Sequence, residues 1–374
     1  MEGNNIFEVN QQNNSFSIKK SALKNSFAPD DGAKGMLFFL IFETILVACY
    51  YAFAILGFAG SVFATIVNYL LEAGFVLVVI FVAKRSNVDV VKALNFKTKF
   101  NWWYVPLCLC VSLICLFGLS HLTDLFISFM YSIGYQSVVS DVEVSTFGNY
   151  IYNVIFVAVV PAICEETLFR GLIYQSLNKV NRWLAIFGSS LLFMLIHGSP
   201  DQTVHQFILA IILAFCFEAT GNLIVPILIH FFNNFIAVTY SYIAYSSSAV
   251  ASEATEEVAS DVSIFSYIIY VLLFTAVSVV LIALIVKAFR KLSGKNNISE
   301  ISAVDVETHE SIDAFILNGD DSIISAINSD GNTIKDKPNE KITLSSSAKI
   351  MYAVAIAWML YDWISACLQG FGIL

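Results

Sequence analysis

Three short motifs carry the groups in this chain that can do chemistry. In Cys164-Glu165-Glu166-Thr167-Leu168-Phe169-Arg170 two adjacent carboxyl groups and a guanidinium interrupt an apolar run. On a helix Glu166 and Arg170 stand four residues apart and can pair directly, while Glu165 lies about 100° further round. Two arrangements satisfy that spacing. In one, Glu166 and Arg170 form a buried ion pair and Glu165 points into a cavity, free for proton transfer. In the other, all three form one packing network between helices. Downstream, Phe193-Met194-Leu195-Ile196-His197 sets an imidazole one turn after an aromatic, and Gly198-Ser199-Pro200 ends that helix. His230-Phe231-Phe232-Asn233-Asn234 sets an imidazole and an amide one turn apart on a single face. A carboxylate and an imidazole can activate water. A second imidazole and an amide can donate to an oxyanion. Together these are the parts for hydrolysing an amide without a covalent intermediate.

Other site chemistries fit less well. The helical zinc signature H-E-x-x-H is absent, so zinc ligands would have to come from three separate segments. Cys164 could act as a nucleophile beside His197, but an apolar setting disfavours its thiolate. A serine triad lacks the G-x-S-x-G elbow. The seven cysteines all lie in apolar segments without a C-x-x-C pair and read as packing residues.

The elements that must position these groups are membrane helices. The chain is 374 residues long, 57% hydrophobic and 13% charged, against about 25% charged for a soluble domain. A soluble globule could not cover that much apolar sequence. The net charge of −9 and the absence of basic stripes exclude nucleic-acid binding. About 20 apolar residues cross a hydrocarbon core as a helix, and the apolar runs predict spans at 36–58, 62–83, 103–132, 150–178, 183–198, 204–220, 223–246 and 263–287, with a ninth at 350–372 that either crosses or lies at the interface. The fold class expected is all-α, a polytopic membrane protein of eight or nine helices around an intramembrane cavity. Lys and Arg cluster before the first span and after the second, fourth and eighth, whereas 133–149, 199–203 and 247–262 have none. This alternation puts the N-terminus in the cytoplasm.

The chain divides into a polar segment 1–35, N-terminal helices 36–149, a core 150–246 with the three motifs, an acidic outer loop and eighth span 247–291, an acidic cytoplasmic segment 292–348 expected to be mostly disordered, and a C-terminal apolar segment 349–374. Among the remaining polar residues, Glu43 and Glu72 read as helix-packing groups within the first two spans. His121 and Asp124 read as interfacial, His205 as solvated in an outer loop, and Glu218 as a cap or snorkelling group near the inner surface.

The order E-E-x-x-x-R, F-x-x-x-H, H-x-x-x-N on successive apolar helices resembles the CPBP family, the CAAX proteases and bacteriocin-processing enzymes also called Abi intramembrane peptidases. The resemblance covers about 150–240 and includes Gly171 and Pro226. It implies an intramembrane endopeptidase. Glu165 would be the general base, His197 would hold and activate the water, and His230 and Asn234 would stabilise the oxyanion, with Glu166, Arg170 and Phe193 shaping the site. It implies no cofactor in a glutamate-type enzyme; a metalloprotease variant would hold zinc on Glu165, His197 and His230. The implied partners are the lipid bilayer and a peptide or lipid-modified protein tail. Leader, pheromone or bacteriocin-type peptides are favoured and prenylated CAAX tails are the alternative, with the bacterial plasma membrane as the location. A non-catalytic scaffold such as a bacteriocin-immunity protein, or a transporter using the same buried charges, are the competing readings.

Overall fold

The computed structural model describes residues 23–58, 60–94, 100–137, 144–250, 264–294 and 342–374. The acidic outer loop, most of the first 35 residues and most of 292–348 lie outside them. The described residues are all-α, and no strand occurs among them. The helices are α1 (Asp31–Ile55), α2 (Ser61–Ser86), α3 (Tyr104–Ser132), α4 (Phe147–Asn178), α5 (Leu184–Ile196), α6 (Thr203–Thr220), α7 (Ile224–Val250), α8 (Ile264–Leu292) and α9 (Ser346–Gly370). Side chains cap several starts by accepting orphan backbone N–H groups: Thr146 at α4, Asn181 at α5 and Ser345 at α9. Arg290 and Lys291 close α8, where cations favour the helix C-terminus.

Among the described residues eight helices are long and apolar enough to cross a membrane, and α5 is the shorter exception. At ~1.5 Å per residue α5 spans about 20 Å, less than a hydrocarbon core of about 30 Å. It nonetheless joins opposite ends of the bundle. Arg182, just before it, pairs with Glu218, which in turn meets Arg290. Lys179 reaches Ser26, and Ser345 N donates to Asp30. These contacts define a basic end. After α5, Asp201 accepts from the Tyr135 hydroxyl, and Gln136 N donates to the Gly370 carbonyl at the opposite end. The alternation of basic and non-basic loops in the sequence thus matches two ends of one bundle. The 350–372 run is α9, which packs along α1 from one end to the other and does not lie across the surface.

Two apolar clusters make the interior. Phe39, Phe75, Phe169, Phe193 and Met359 belong to the first, which joins α1, α2, α4, α5, α6 and α9. Cys108, Leu213, Ile229 and Phe289 belong to the second, between α3, α6, α7 and α8. α6 contributes to both. The outward faces remain apolar, as Phe265, Leu272 and Val280 on α8 illustrate. In an integral membrane protein such faces meet lipid.

Candidate active site

Glu165 and Glu166 sit on Val160–Leu168, a stretch of α4 bracketed by π-helical turns at Val154–Val159 and Phe169–Tyr174. Such turns often mark functional helices. The first has a cause in the sequence. Pro161 has no N–H to give the carbonyl four residues back, which is that of Val157. Asn234 Nδ2 on α7 donates to the Val157 oxygen instead, at 2.9 Å. The amide of the third motif therefore straps α7 to the helix that carries the first. The second π turn brings Gly171 against Leu94, whose Cδ2 would lie 2.5 Å from a Cβ at that position. Only a residue without a side chain allows that approach undisturbed.

Glu166 and Arg170 are fully buried and paired at 2.9 Å. The same Glu166 oxygen lies 3.1 Å from His230 Nδ1, and Arg170 Nη2 donates to the Ala210 carbonyl at 2.8 Å. One carboxylate and one guanidinium thereby tie α4, α6 and α7 together. The guanidinium also lies over the Phe193 ring, 4.7 Å from its centroid. Phe193 in turn packs against His197 at 5.1 Å and His230 at 5.8 Å. Residues of all three motifs thus converge on one aromatic ring.

His197 follows the last residue of α5, and Gly198 adopts a left-handed φ of +58° that ends the helix. Its Nδ1 lies 2.7 Å from the Phe193 carbonyl oxygen. That oxygen can only accept, so Nδ1 carries the hydrogen and Nε2 presents a lone pair in the neutral ring. Glu165 is 7% exposed, and its Oε2 is buried without a hydrogen-bond partner. Its electrostatic neighbours are Glu72, Glu166 and Arg170. No hydrogen bond joins Glu165 to His197 or His230, so the structure brings Glu166, Arg170, Phe193, His197 and His230 into contact and leaves the Glu165 carboxyl beside them, unpaired.

Two residues read differently in the sequence belong to this region. His205 is not a solvated loop residue. Helix α6 starts at Thr203, two residues after Asp201, and the half-buried His205 ring accepts from Asn233 Nδ2 at 3.3 Å. His205 lies within electrostatic reach of His197 and His230. Glu72, assigned to packing, comes from α2 to face Glu165 and Cys164, with its own Oε2 unpartnered. Two signals pointed to them: Glu72 is an ionisable residue in an apolar span, and Pro200 marks a helix start just before His205. Glu218 does more than cap, since it is shared by Arg182 and Arg290. His121 pairs with Asp124 at 3.4 Å, remote from the motifs.

Among the described residues no three His, Cys, Asp or Glu side chains are grouped so that they could hold a metal ion. His197 Nδ1 is taken by a backbone carbonyl and His230 Nδ1 faces Glu166, which leaves Nε2 of each ring as the nitrogen available to a water, a substrate or a ligand.

No curated protein and no solved structure matches the chain. Residues 147–236, which contain all three motifs, match the family model described as Type II CAAX prenyl endopeptidase Rce1-like, the family to which those motifs pointed.

Proposed function

We propose that this protein is a glutamate-type intramembrane endopeptidase that cleaves a membrane-associated peptide or protein tail. The observation that carries this reading is the convergence of Arg170, His197 and His230 on the Phe193 ring, with the Glu165 carboxyl buried and unpaired alongside. Glu165 takes a proton from a water that His197 Nε2 helps to hold. The hydroxide adds to the scissile carbonyl. His230, as an imidazolium with Glu166 at its Nδ1, donates to the oxyanion from Nε2, and the second Nδ2 hydrogen of Asn234 donates beside it. Collapse of the tetrahedral intermediate breaks the C–N bond, and the leaving amine takes the proton from Glu165. Glu166 and Arg170 position His230 and touch no reacting atom.

The substrates to assay are leader or pheromone-type peptides and prenylated CAAX tails. The basic end of the bundle faces the cytoplasm in this reading, as the clustering of Lys and Arg favours. The decisive experiment is cleavage in proteoliposomes by the wild type and by Glu165→Ala, His197→Ala and His230→Ala. Loss of cleavage in all three is expected, and full activity of the Glu165 variant overturns the mechanism. Activity that persists in chelator supports the metal-free route; activity abolished by chelator and restored by zinc overturns it.

A further inference from the structure

At the basic end of the bundle two arginines share one carboxylate, with a lysine close by on the same helix as one of them. Glu218 Oε2 accepts from Arg182 at 2.9 Å and from Arg290 at 3.3 Å. Lys287 lies one turn before Arg290 on α8 and is exposed. One glutamate cannot neutralise three cations, so the cluster keeps a surplus of positive charge. From it an apolar slot of about 450 Å³ runs between α3, α6 and α8. Leu122, Ile211, Phe215, Val279 and Ile282 form its walls, and Lys287 and Arg290 stand at its mouth. The slot excludes Glu165, Glu166, His197 and His230, so it is separate from the proposed active site.

We propose that this slot binds an anionic phospholipid, with one acyl chain along the apolar walls and the phosphate against Lys287 and Arg290. The walls are built of aliphatic and aromatic side chains that would otherwise gain nothing specific from a slot open to lipid. The mouth selects the headgroup. A surplus of cations attracts a phosphate, and a headgroup that adds its own ammonium offers less net charge in return. A peptide occupant would bring backbone N–H and C=O groups into walls that offer them almost no partners. The slot is the size of a single alkyl chain, not of a folded segment.

The test uses the full-length protein, stripped of lipid in mild detergent. It is mixed with equal amounts of phosphatidylglycerol and phosphatidylcholine of identical acyl chains, repurified, and assayed for retained lipid by native mass spectrometry. Phosphatidylglycerol should be retained over phosphatidylcholine by about fivefold at low salt, the order of one lysine–lipid attraction. Lys287→Gln should remove the preference, and Ala283→Phe, which fills the slot, should remove retention of either lipid. Lys287 and Ala283 are both exposed, and the Lys287→Gln change leaves the packing untouched. Equal retention of the two lipids by the wild type overturns the proposal, as does a preference that survives both substitutions. If Ala283→Phe fails to fold, the Lys287→Gln comparison decides alone.

Discussion

Glu166 and His230, 64 residues apart in the chain, meet at 3.1 Å through an oxygen that also accepts from Arg170. The pairing makes the ion pair on α4 a support for the imidazole on α7. Removing one member of a buried pair strands the other, which costs about 3–5 kcal/mol, whereas replacing both with apolar groups is often neutral. Arg170→Met should therefore lower the unfolding midpoint sharply, and Glu166→Leu with Arg170→Met should recover most of it. Cleavage should stay low in the double variant, because His230 has lost its partner. The pair of readouts is thermal unfolding in detergent and cleavage in liposomes; recovery of both would make the pair a packing device alone.

Glu165 differs from its neighbour in its pairing: Glu166 meets Arg170 and His230 through Oε1, whereas Glu165 makes no such pair and its Oε2 is buried without a partner. A Gln at this position keeps the shape and removes the base. Glu165→Gln should reduce kcat by about 10²–10⁴-fold, the range for a general base, with the unfolding midpoint little changed. Glu166→Gln should move stability as well as rate. A Glu165→Gln variant that loses stability but keeps its kcat would assign Glu165 to packing.

Asn234 and Pro161 yield a prediction with a built-in rescue. Asn234→Leu leaves the half-buried Val157 carbonyl without its donor, and a fully buried unsatisfied carbonyl costs about 1–3 kcal/mol, an upper bound here. Pro161→Ala supplies the N–H that Val157 lacks within its own helix. The double variant should therefore regain stability relative to Asn234→Leu. If cleavage returns with stability, Asn234 is a strap between α4 and α7. If cleavage stays low while stability returns, the amide also serves the oxyanion, which is the outcome expected here.

The sequence disclosed much of this arrangement, for a physical reason. In lipid an ionisable group is costly, so Glu165, Glu166, Arg170, His197 and His230 stand out in a chain this apolar. The same solvent makes spans readable as apolar runs, and the helices followed them to within several residues. Interhelical partners were less visible. Pro161 announces that Val157 needs a donor, but nothing in the chain names Asn234. Glu72 faces Glu165 only because α2 packs against α4. His205 was read as solvated although it lies at the start of the predicted span 204–220; Pro200–Gln202 forms a 3₁₀ turn that runs directly into α6, and the ring turns into the bundle towards Asn233.

His205 reaches Asn234 through Asn233. Its Nε2 lies 3.3 Å from Asn233 Nδ2, which lies 3.3 Å from Asn234 Oδ1. The three side chains form a series in which Asn233 has contact with both others. His205→Phe removes one end, and the orientation of Asn234 loses part of its restraint. A drop of about tenfold in kcat/KM is expected, equal to roughly one hydrogen bond of about 1.4 kcal/mol. Asn233→Leu breaks the series at its centre and should cost at least as much. Groups that act in series do not add, so His205→Phe with Asn233→Leu should be no worse than Asn233→Leu alone. Losses that multiply in the double variant would show instead that His205 acts on the site by a route of its own, through His197 or His230.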